Sequence, residues 1–294
     1  MAQTYKWIAT VSTAWDGDGW SGPGGGPTGP PGASNYAIFD GSANGNCTQP
    51  SGDEDCLALY VAPAYTGQMG TSSNPLTVDA SSGSGTFVLK GSGDMYFQSD
   101  VDQCVINKSG NITFENDNVC RNMNIFNGNV TLTPNAQMNF LNIGNNTGGG
   151  PTVTLEAGSS TPTTTVLNNG SLTVENSSCP IIYQRGGRVT LSGVTAITNY
   201  LCSGGSTTAS QNDNLQITGH LVVQNGGSVD LSGCKGTISL DNDAALIVHS
   251  GGYLNLDNGQ AMVPDSGGLN DLIRFIGGTV KLNATDSTKF IEVG

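Results

Sequence analysis

The chain has 294 residues, of which only 11% are charged and 43 are glycine, and its formal net charge at pH 7 is −13. Its ten basic residues are scattered singly, which disfavours a nucleic-acid-binding face. The longest apolar run, from Leu57 to Ala62, is too short to span a membrane. We therefore predict neither a nucleic-acid partner nor a membrane partner.

Residues 1–70 differ from the rest and are predicted to form a cap or assembly segment. The start of the chain lacks the apolar core of a secretory signal, which favours a protein that is made in the cytoplasm and stays soluble. Tyr5 to Val11 is typical of a strand, and a Gly/Pro-rich loop follows from Ser21 to Ser34. All three tryptophans lie in this segment: Trp7, Trp15 and Trp20. Two interpretations stand: they plug an exposed first coil, or they dock the protein onto a larger assembly.

Residues 71–294 repeat one phrase, Gly-x-Φ-x-Φ, in which Φ is apolar. Its copies begin at Gly110, Gly128, Gly150 (with an inserted proline), Gly170, Gly187, Gly227, Gly252 and Gly278. If the gap between Gly187 and Gly227 hides one degenerate copy, the average step is about 21 residues, a period typical of solenoids. The alternation points two side chains of each phrase inward, and a lone short strand buries them only by stacking on the next copy.

We therefore predict an all-β fold, a single-chain parallel β-helix (solenoid) of about 9–11 short coils with an N-terminal aromatic and Gly/Pro-rich cap. Weaker phrases such as Met123 to Phe126 and Leu221 to Val223 are expected to supply further walls. A two-sheet sandwich is the alternative, but it would need longer strands joined by tight hairpins.

Two stretches interrupt the pattern, and one end lacks a cap. Cys202 to Asp213 has no apolar alternation and is expected to be a looped-out or missing copy, and Asp257 to Asn270 is a second break. No capping helix follows the last strand, so we expect a neighbouring subunit or the surface of a larger assembly to cover it. This adds three candidates to the assembly residues, namely Phe290, Ile291 and Val293.

The seven cysteines are an odd number, so no complete disulfide framework follows. Cys104 and Cys120, and Cys179 and Cys202, are about one coil apart and could lie on neighbouring turns. The interpretation we favour is that the cysteines are small buried apolar residues. No spacing is typical of a zinc site, and we predict no metal and no cofactor.

Catalysis is weighed because parallel β-helices include polysaccharide lyases and tailspike hydrolases. Glycoside hydrolysis needs two carboxylates, and Asp230 with Asp257, or Asp241 with Asp243, would supply such a pair. Aspartate beside Asn or Gly, however, most often makes turns, and no tryptophan platform for sugars exists beyond Trp20. The histidines at 220 and 249 are expected at strand edges. We therefore predict a protein that is not an enzyme and nominate no catalytic residue.

A row of threonines is predicted on the outside of the coils. Its members are Thr113, Thr131, Thr154, Thr173 and Thr190. Threonine suits an exposed strand because it is β-branched and polar. An ice-binding array would need even spacing, whereas here the coil lengths vary and the row ends at Asp230.

The N-terminal motifs carry a family resemblance. Trp7, Trp15 and Trp20, then Tyr36 to Asp40, Cys47, Cys56 to Leu59 and Tyr65 to Gly67, lead into glycine-rich coils. This order resembles β-solenoid structural proteins of tailed-phage virions and is similar to solenoid segments of bacterial surface proteins. The resemblance covers roughly the first 80 residues by motif, and the remainder only by its general sequence character. The Pro/Gly-rich insertion between Trp20 and Tyr36 departs from the expected spacing.

The resemblance implies a non-enzymatic virion protein, a capsid decoration (cement) or fibre component on the virion surface after assembly in the host cytoplasm. It implies partners among major capsid or tail proteins and copies of the chain itself. The alternative is a carbohydrate-binding or carbohydrate-cleaving tailspike or adhesin, secreted or on a cell surface, with a host surface glycan as ligand.

Overall fold

The computed structural model describes residues 1–80, 85–115, 118–144, 150–159, 161, 163–166, 168–176, 181–210, 214–241, 244–259, 263–264, 272–282 and 291–293. Over these ranges the chain folds as a parallel β-solenoid of about nine turns, which confirms the predicted fold class. The sandwich alternative is wrong, because the strands of successive turns pair in parallel. None of the described residues forms a helix with the length and apolar character required to cross a bilayer.

The chain forms two compact units, Met1–Leu141 and Asn142–Gly294. The strands of the first unit are β1 (Thr4–Trp7), β2 (Thr13–Ala14), β3 (Trp20–Ser21), β4 (Pro27–Thr28), β5 (Tyr36–Phe39), β6 (Cys47–Thr48), β7 (Glu54–Asp55), β8 (Ala58–Val61), β9 (Val78–Asp79), β10 (Thr86–Leu89), β11 (Met95–Phe97), β12 (Asp100–Phe114) and β13 (Val119–Leu132).

Strand β14 (Gln137–Ile143) includes the boundary between the units. The second unit continues with β15 (Thr152–Leu155), β16 (Thr163–Val166), β17 (Ser171–Glu175), β18 (Ile181–Ser192), β19 (Ala196–Ala209), β20 (Leu215–Val223), β21 (Gly227–Asp230), β22 (Ile238–Leu240), β23 (Ala245–His249), β24 (Tyr253–Asn255), β25 (Val263–Pro264), β26 (Leu272–Ile276), β27 (Thr279–Lys281) and β28 (Ile291–Val293).

In the first unit, the main ladder runs through β1, β5, β8, β10, β12 and β13, each strand parallel to the next. The inward positions stay in register from turn to turn. One buried column contains Ala37, Leu59, Phe87, Cys104 and Met123. Parallel pairing therefore already begins at Thr4, within the segment predicted as a separate cap, and the boundary near residue 70 stays a prediction.

The Gly/Pro-rich loop covers the first edge of this ladder. Strand β3 pairs antiparallel with β1, placing Trp7 opposite Trp20, and β4 pairs antiparallel with β3. The outermost strand thus begins with Pro27, which has no N–H to offer to another chain. A short edge strand that contains proline is a common protection against edge-to-edge association.

The second unit has three walls that share strands at the corners. One wall contains β15, β17, the end of β18, the end of β19, β21, β24 and β27. The next contains β16, the start of β18, the middle of β19, the end of β20, β23, β26 and β28. The third contains the starts of β19 and β20, then β22 and β25. A repeat of about 21 residues predicted two or three short strands per turn, in agreement with these walls.

The expectation of a looped-out copy between Cys202 and Asp213 is wrong. Ser206 to Thr208 belongs to β19 and pairs with β18 on one side and β21 on the other, so the long gap contains a regular turn. Its opening glycine, Gly205, has a φ of 78°. The copy is hard to recognise because Thr207 occupies an inward position that is apolar in other copies. Residues 211–213 lie outside the described residues.

Candidate functional site

The three tryptophans form one buried aromatic cluster with Phe39. The ring centroids of Trp15 and Trp20 are 4.7 Å apart, and those of Trp7 and Trp20 are 5.1 Å apart, both edge to face. Trp7 Nε1 donates to Gly45 O at 3.1 Å and Trp20 Nε1 donates to Trp15 O at 2.6 Å. All three indoles have 0% exposure, as a plug for the first turn requires. They present no surface to a partner, so an assembly role for them stays a prediction and would act through the fold of this segment.

The C-terminal candidates are placed only in part. Ile291 and Val293 lie in β28 opposite Ile273 and Phe275 of β26. Phe290 lies outside the described residues. Their predicted role in assembly stays a prediction.

The cysteines behave as buried apolar residues where they are described. Six cysteines are buried, namely Cys47, Cys56, Cys104, Cys120, Cys202 and Cys234, and Cys179 lies outside the described residues. Burial raises the pKa of the Cys120 thiol to about 12, and that of Cys56 to about 12. Because the thiolate is the nucleophile, these thiols are inert in the folded chain.

A buried polar cluster fills the interior of the second unit around Gln184. Its Oε1 accepts hydrogen bonds from Tyr200 Oη and Thr207 Oγ1, both at 2.6 Å, and from Cys202 Sγ at 3.4 Å. Its Nε2 donates to Ser206 O at 3.0 Å. Gln184, Tyr200, Cys202 and Thr207 are at most 1% exposed, so no substrate reaches them. The cluster instead fixes the register of adjacent turns, since each of its polar groups depends on the others.

Lys108 is buried inside the first unit. Its Nζ donates to Gly93 O at 2.5 Å and to Asn111 O at 2.9 Å, which ties successive turns together. Burial lowers the pKa of Lys108 to about 8, and the negative charge of Asp94 acts in the opposite direction. Because Lys108 is bonded to two carbonyl groups and is only 2% exposed, we assign it a structural role.

Two carboxylates of the first unit, Asp16 and Glu54, have pKa values shifted in opposite directions. Asp16 Oδ2 accepts bonds from Ser51 Oγ at 2.5 Å and Ser51 N at 2.9 Å, and these bonds lower its pKa. Burial, together with the nearby Asp16 and Asp55, raises the pKa of Glu54. Such opposed shifts are typical of acid–base pairs. Sequence reasoning missed the pair because the two residues lie far apart in the chain.

A polar pocket lies near Asp16, since Ser51, which donates hydrogen bonds to Asp16, directly follows Pro50 of the pocket lining. It measures about 320 Å³ and is lined by Thr48, Gln49, Pro50, Gly70, Thr71 and Asn74. Its hydroxyl and amide groups suit a neutral polar ligand such as a sugar. Among the residues that the structure describes, no group of three or more His, Cys, Asp or Glu side chains could hold a metal ion.

The carboxylate pairs considered from the sequence are engaged in local contacts. Asp230 Oδ1 accepts bonds from Ser232 Oγ at 2.6 Å and from Asn255 Nδ2 at 3.0 Å. Asp257 forms an ion pair with Lys281 at 3.3 Å. Asp243, the partner considered for Asp241, lies outside the described residues.

The threonine row is present on the outer wall of each unit. In the first unit Thr113 lies opposite Thr131. In the second unit Thr154, Thr173, Thr190 and Thr208 follow in register before Asp230 replaces threonine. Thr208 was not predicted, because its turn was not recognised in the sequence.

Each unit also carries outward-facing apolar side chains stacked in register, which we call an apolar ladder. The first-unit ladder consists of Ile38, Tyr60, Val88 and Val105. The second-unit ladder consists of Tyr183, Leu201, Val222 and Ile247. Sequence reasoning missed both ladders, because a strand that is apolar on both faces does not show which side is exposed.

No protein-family model matches the chain, and no curated protein and no solved structure matches it either. Its function is therefore inferred from its own residues and geometry.

Proposed function

We propose that this chain is a non-enzymatic structural protein of a tailed-phage particle, a capsid decoration or fibre component that binds capsid or tail proteins and copies of itself. The observation that carries the proposal is the apolar ladder on the outside of each unit. Tyr60 and Tyr183 remain 37% and 40% exposed. Soluble proteins rarely leave contiguous apolar patches uncovered unless another surface binds there.

The solenoid suits such a role because its surface is rigid. Backbone hydrogen bonds join each turn to the next, and the interior is filled by stacked apolar side chains that are fully buried. A pre-organised surface loses little conformational entropy when it binds a partner. The resemblance of the N-terminal motifs to phage solenoids supports the same role.

The test is to locate the protein in particles. Phage particles from the source that encodes this chain would be purified on a density gradient, probed with gold-labelled antibody against the chain, and quantified by mass spectrometry. We expect labelled particles and many copies per particle. A chain found only in the soluble fraction, with unlabelled particles, would refute the proposal. The major capsid protein in the same gradient fractions serves as the control.

A second candidate function is carbohydrate binding or cleavage, and the polar pocket near Asp16 favours it. In this reading the pocket would hold the sugar, and Asp16 and Glu54, whose pKa values are shifted in opposite directions, would supply the two carboxyl groups that glycoside hydrolysis needs. Incubation with capsular polysaccharide and an assay for new reducing ends would test it. Asp16→Asn and Glu54→Gln should then abolish release while Asp53→Asn does not. If the wild-type chain releases no reducing ends and binds no glycan, this candidate fails.

A further inference from the structure

The wall of the second unit that carries its apolar ladder is broader than the ladder itself. Strands β16, β18, β19, β20, β23 and β26 lie side by side in it. Beside the ladder, Ile181 and Ile276 also point outward, and Ile276 is 51% exposed. The central side chains of the wall are thus apolar across several consecutive turns.

From β16 to β26 this wall also lacks carboxylates at its outward positions, although the chain contains 23 Asp and Glu residues and Glu292 of the last strand, β28, pairs with Arg274 of β26. No Asp or Glu stands at any outward position of the wall whose side chain the structure describes. The polar residues there include Arg185, His220 and His249. We call it the carboxylate-free face, and it differs from the net charge of −13 that the chain carries as a whole.

The area of the carboxylate-free face is close to what a stable contact needs. Six strands ~4.8 Å apart, with side chains at both ends, span about 28 Å, and three outward positions along a strand span about 18 Å. The face therefore presents roughly 500 Å². Two such faces pressed together would bury roughly 1,000 Å², the lower limit of specific protein–protein interfaces.

We propose that the carboxylate-free face docks on the same face of a second copy of this chain. Pleated sheets pack face to face when their outward side chains are apolar, and a two-fold axis makes one patch its own complement. Charge favours this occupant, because two chains of like net charge repel least when their acidic surfaces point away from the contact. An acidic polymer is disfavoured, because Arg185 and Arg274 are the only Lys or Arg residues at the outward register positions of β16 to β26.

The proposed dimer contact specifies how the chain associates with its own copies in the proposed structural role. It rests on the virion role only for where the dimer would occur. Self-association can be measured with the isolated chain, whereas the virion role is tested on particles. A monomeric chain found in particles would overturn the dimer alone. A dimeric chain absent from particles would overturn the virion role alone.

Sedimentation equilibrium from about 1 to 100 µM would test the dimer with two charged variants, Leu201→Glu and Val222→Glu. Each places a carboxylate at the centre of the contact, where an unpaired buried charge raises the dissociation constant by about 100-fold or more. Thr190→Glu is the matched control, since Thr190 lies outward on another wall of the same unit. We expect wild type and Thr190→Glu to dimerise and both ladder variants to be monomers.

Circular dichroism establishes that each variant is folded, and Tyr183→Ala weakens the same contact without adding a charge if the glutamate variants misfold. A wild-type chain that stays monomeric over the whole range would overturn the proposal. Equal dissociation by Thr190→Glu would overturn it too, since net charge rather than this face would then control association. So would binding of an anionic polysaccharide to a monomeric wild type.

Discussion

The buried cluster around Gln184 should stabilise the solenoid, and the loss of stability on replacing Gln184 follows from its contacts. Replacing Gln184 by Leu keeps the volume but removes the acceptor shared by Tyr200 and Thr207 and the donor to Ser206 O. Tyr200 and Thr207 also bond to each other, so only one of the two hydroxyl donors can keep a partner within the cluster. One buried hydroxyl and one buried carbonyl would lose their hydrogen-bond partners, and each loss lowers the free energy of unfolding by about 1–3 kcal/mol. The added apolar packing of leucine recovers about 1 kcal/mol. We expect a loss of about 3 kcal/mol.

The change in stability on going from the single variant to a triple variant makes the test specific to this cluster. A triple variant, Gln184→Leu with Tyr200→Phe and Thr207→Val, removes donors and acceptors together, which can be nearly neutral. We therefore expect it to be more stable than Gln184→Leu alone, with clear non-additivity among contacting residues. The measurement is urea unfolding followed by circular dichroism. Gln216→Leu, an exposed position of β20, is the matched control and should change stability by less than about 0.5 kcal/mol.

Two results would refute this reasoning. If Gln184→Leu unfolds at the same urea concentration as the wild type, the cluster does not stabilise the solenoid. If the triple variant is destabilised by the sum of its single variants, the three side chains do not form a coupled network.

Three further predictions concern buried groups and glycines. The pKa of Lys108 is lowered in the folded chain, so the unfolded chain binds more protons between about pH 8 and pH 10.5. The stability of the wild type should therefore rise with pH in this range relative to Lys108→Met. Equal pH dependence of the two proteins in urea denaturation would contradict the burial of this amine. The six described cysteines should not react with a thiol reagent at pH 8 until the chain is unfolded in urea, and rapid labelling of the native chain would contradict their burial. Gly205→Ala should lower the free energy of unfolding by about 2 kcal/mol or more, because φ is 78° and a Cβ would collide with the Gly187 carbonyl oxygen. Gly226→Ala should lower it by only about 1 kcal/mol, because φ is 82° but the space around it is open. Equal losses of stability in thermal unfolding would mean that the close approach at Gly205 has no effect.

The fold could be predicted because its signal is local and repeated. Each phrase carries its own turn glycine and its own two inward side chains, so eight copies of a weak pattern indicated one architecture. Gly227 illustrates the signal well, since a Cβ there would meet the Cys202 carbonyl of the preceding turn. The copy beginning at Gly205 was missed because its inward Thr207 is polar, and the partners that satisfy it are Gln184 of the preceding turn and Tyr200 of the same strand.

The candidate surfaces were harder to predict because they are made by residues distant in sequence. In Leu221-Val222-Val223 all three side chains are apolar, and only the register shows that Val222 points outward while its neighbours are buried. Asp16 and Glu54 interact only through the fold: β2, which precedes Asp16, pairs with β6, and Asp16 accepts hydrogen bonds from Ser51, three residues before Glu54. The tryptophans were conspicuous in the sequence, yet their complete burial depends on the hairpin that folds over β1.

The central claim is that this chain is a structural component that assembles through outward-facing apolar sheet surfaces. Electron cryo-microscopy of intact particles that contain the chain tests it most directly. The claim predicts that another protein surface covers Leu201 and Val222 in the assembled particle. A reconstruction in which both apolar ladders face open solvent, with the chain attached through another surface, would contradict it.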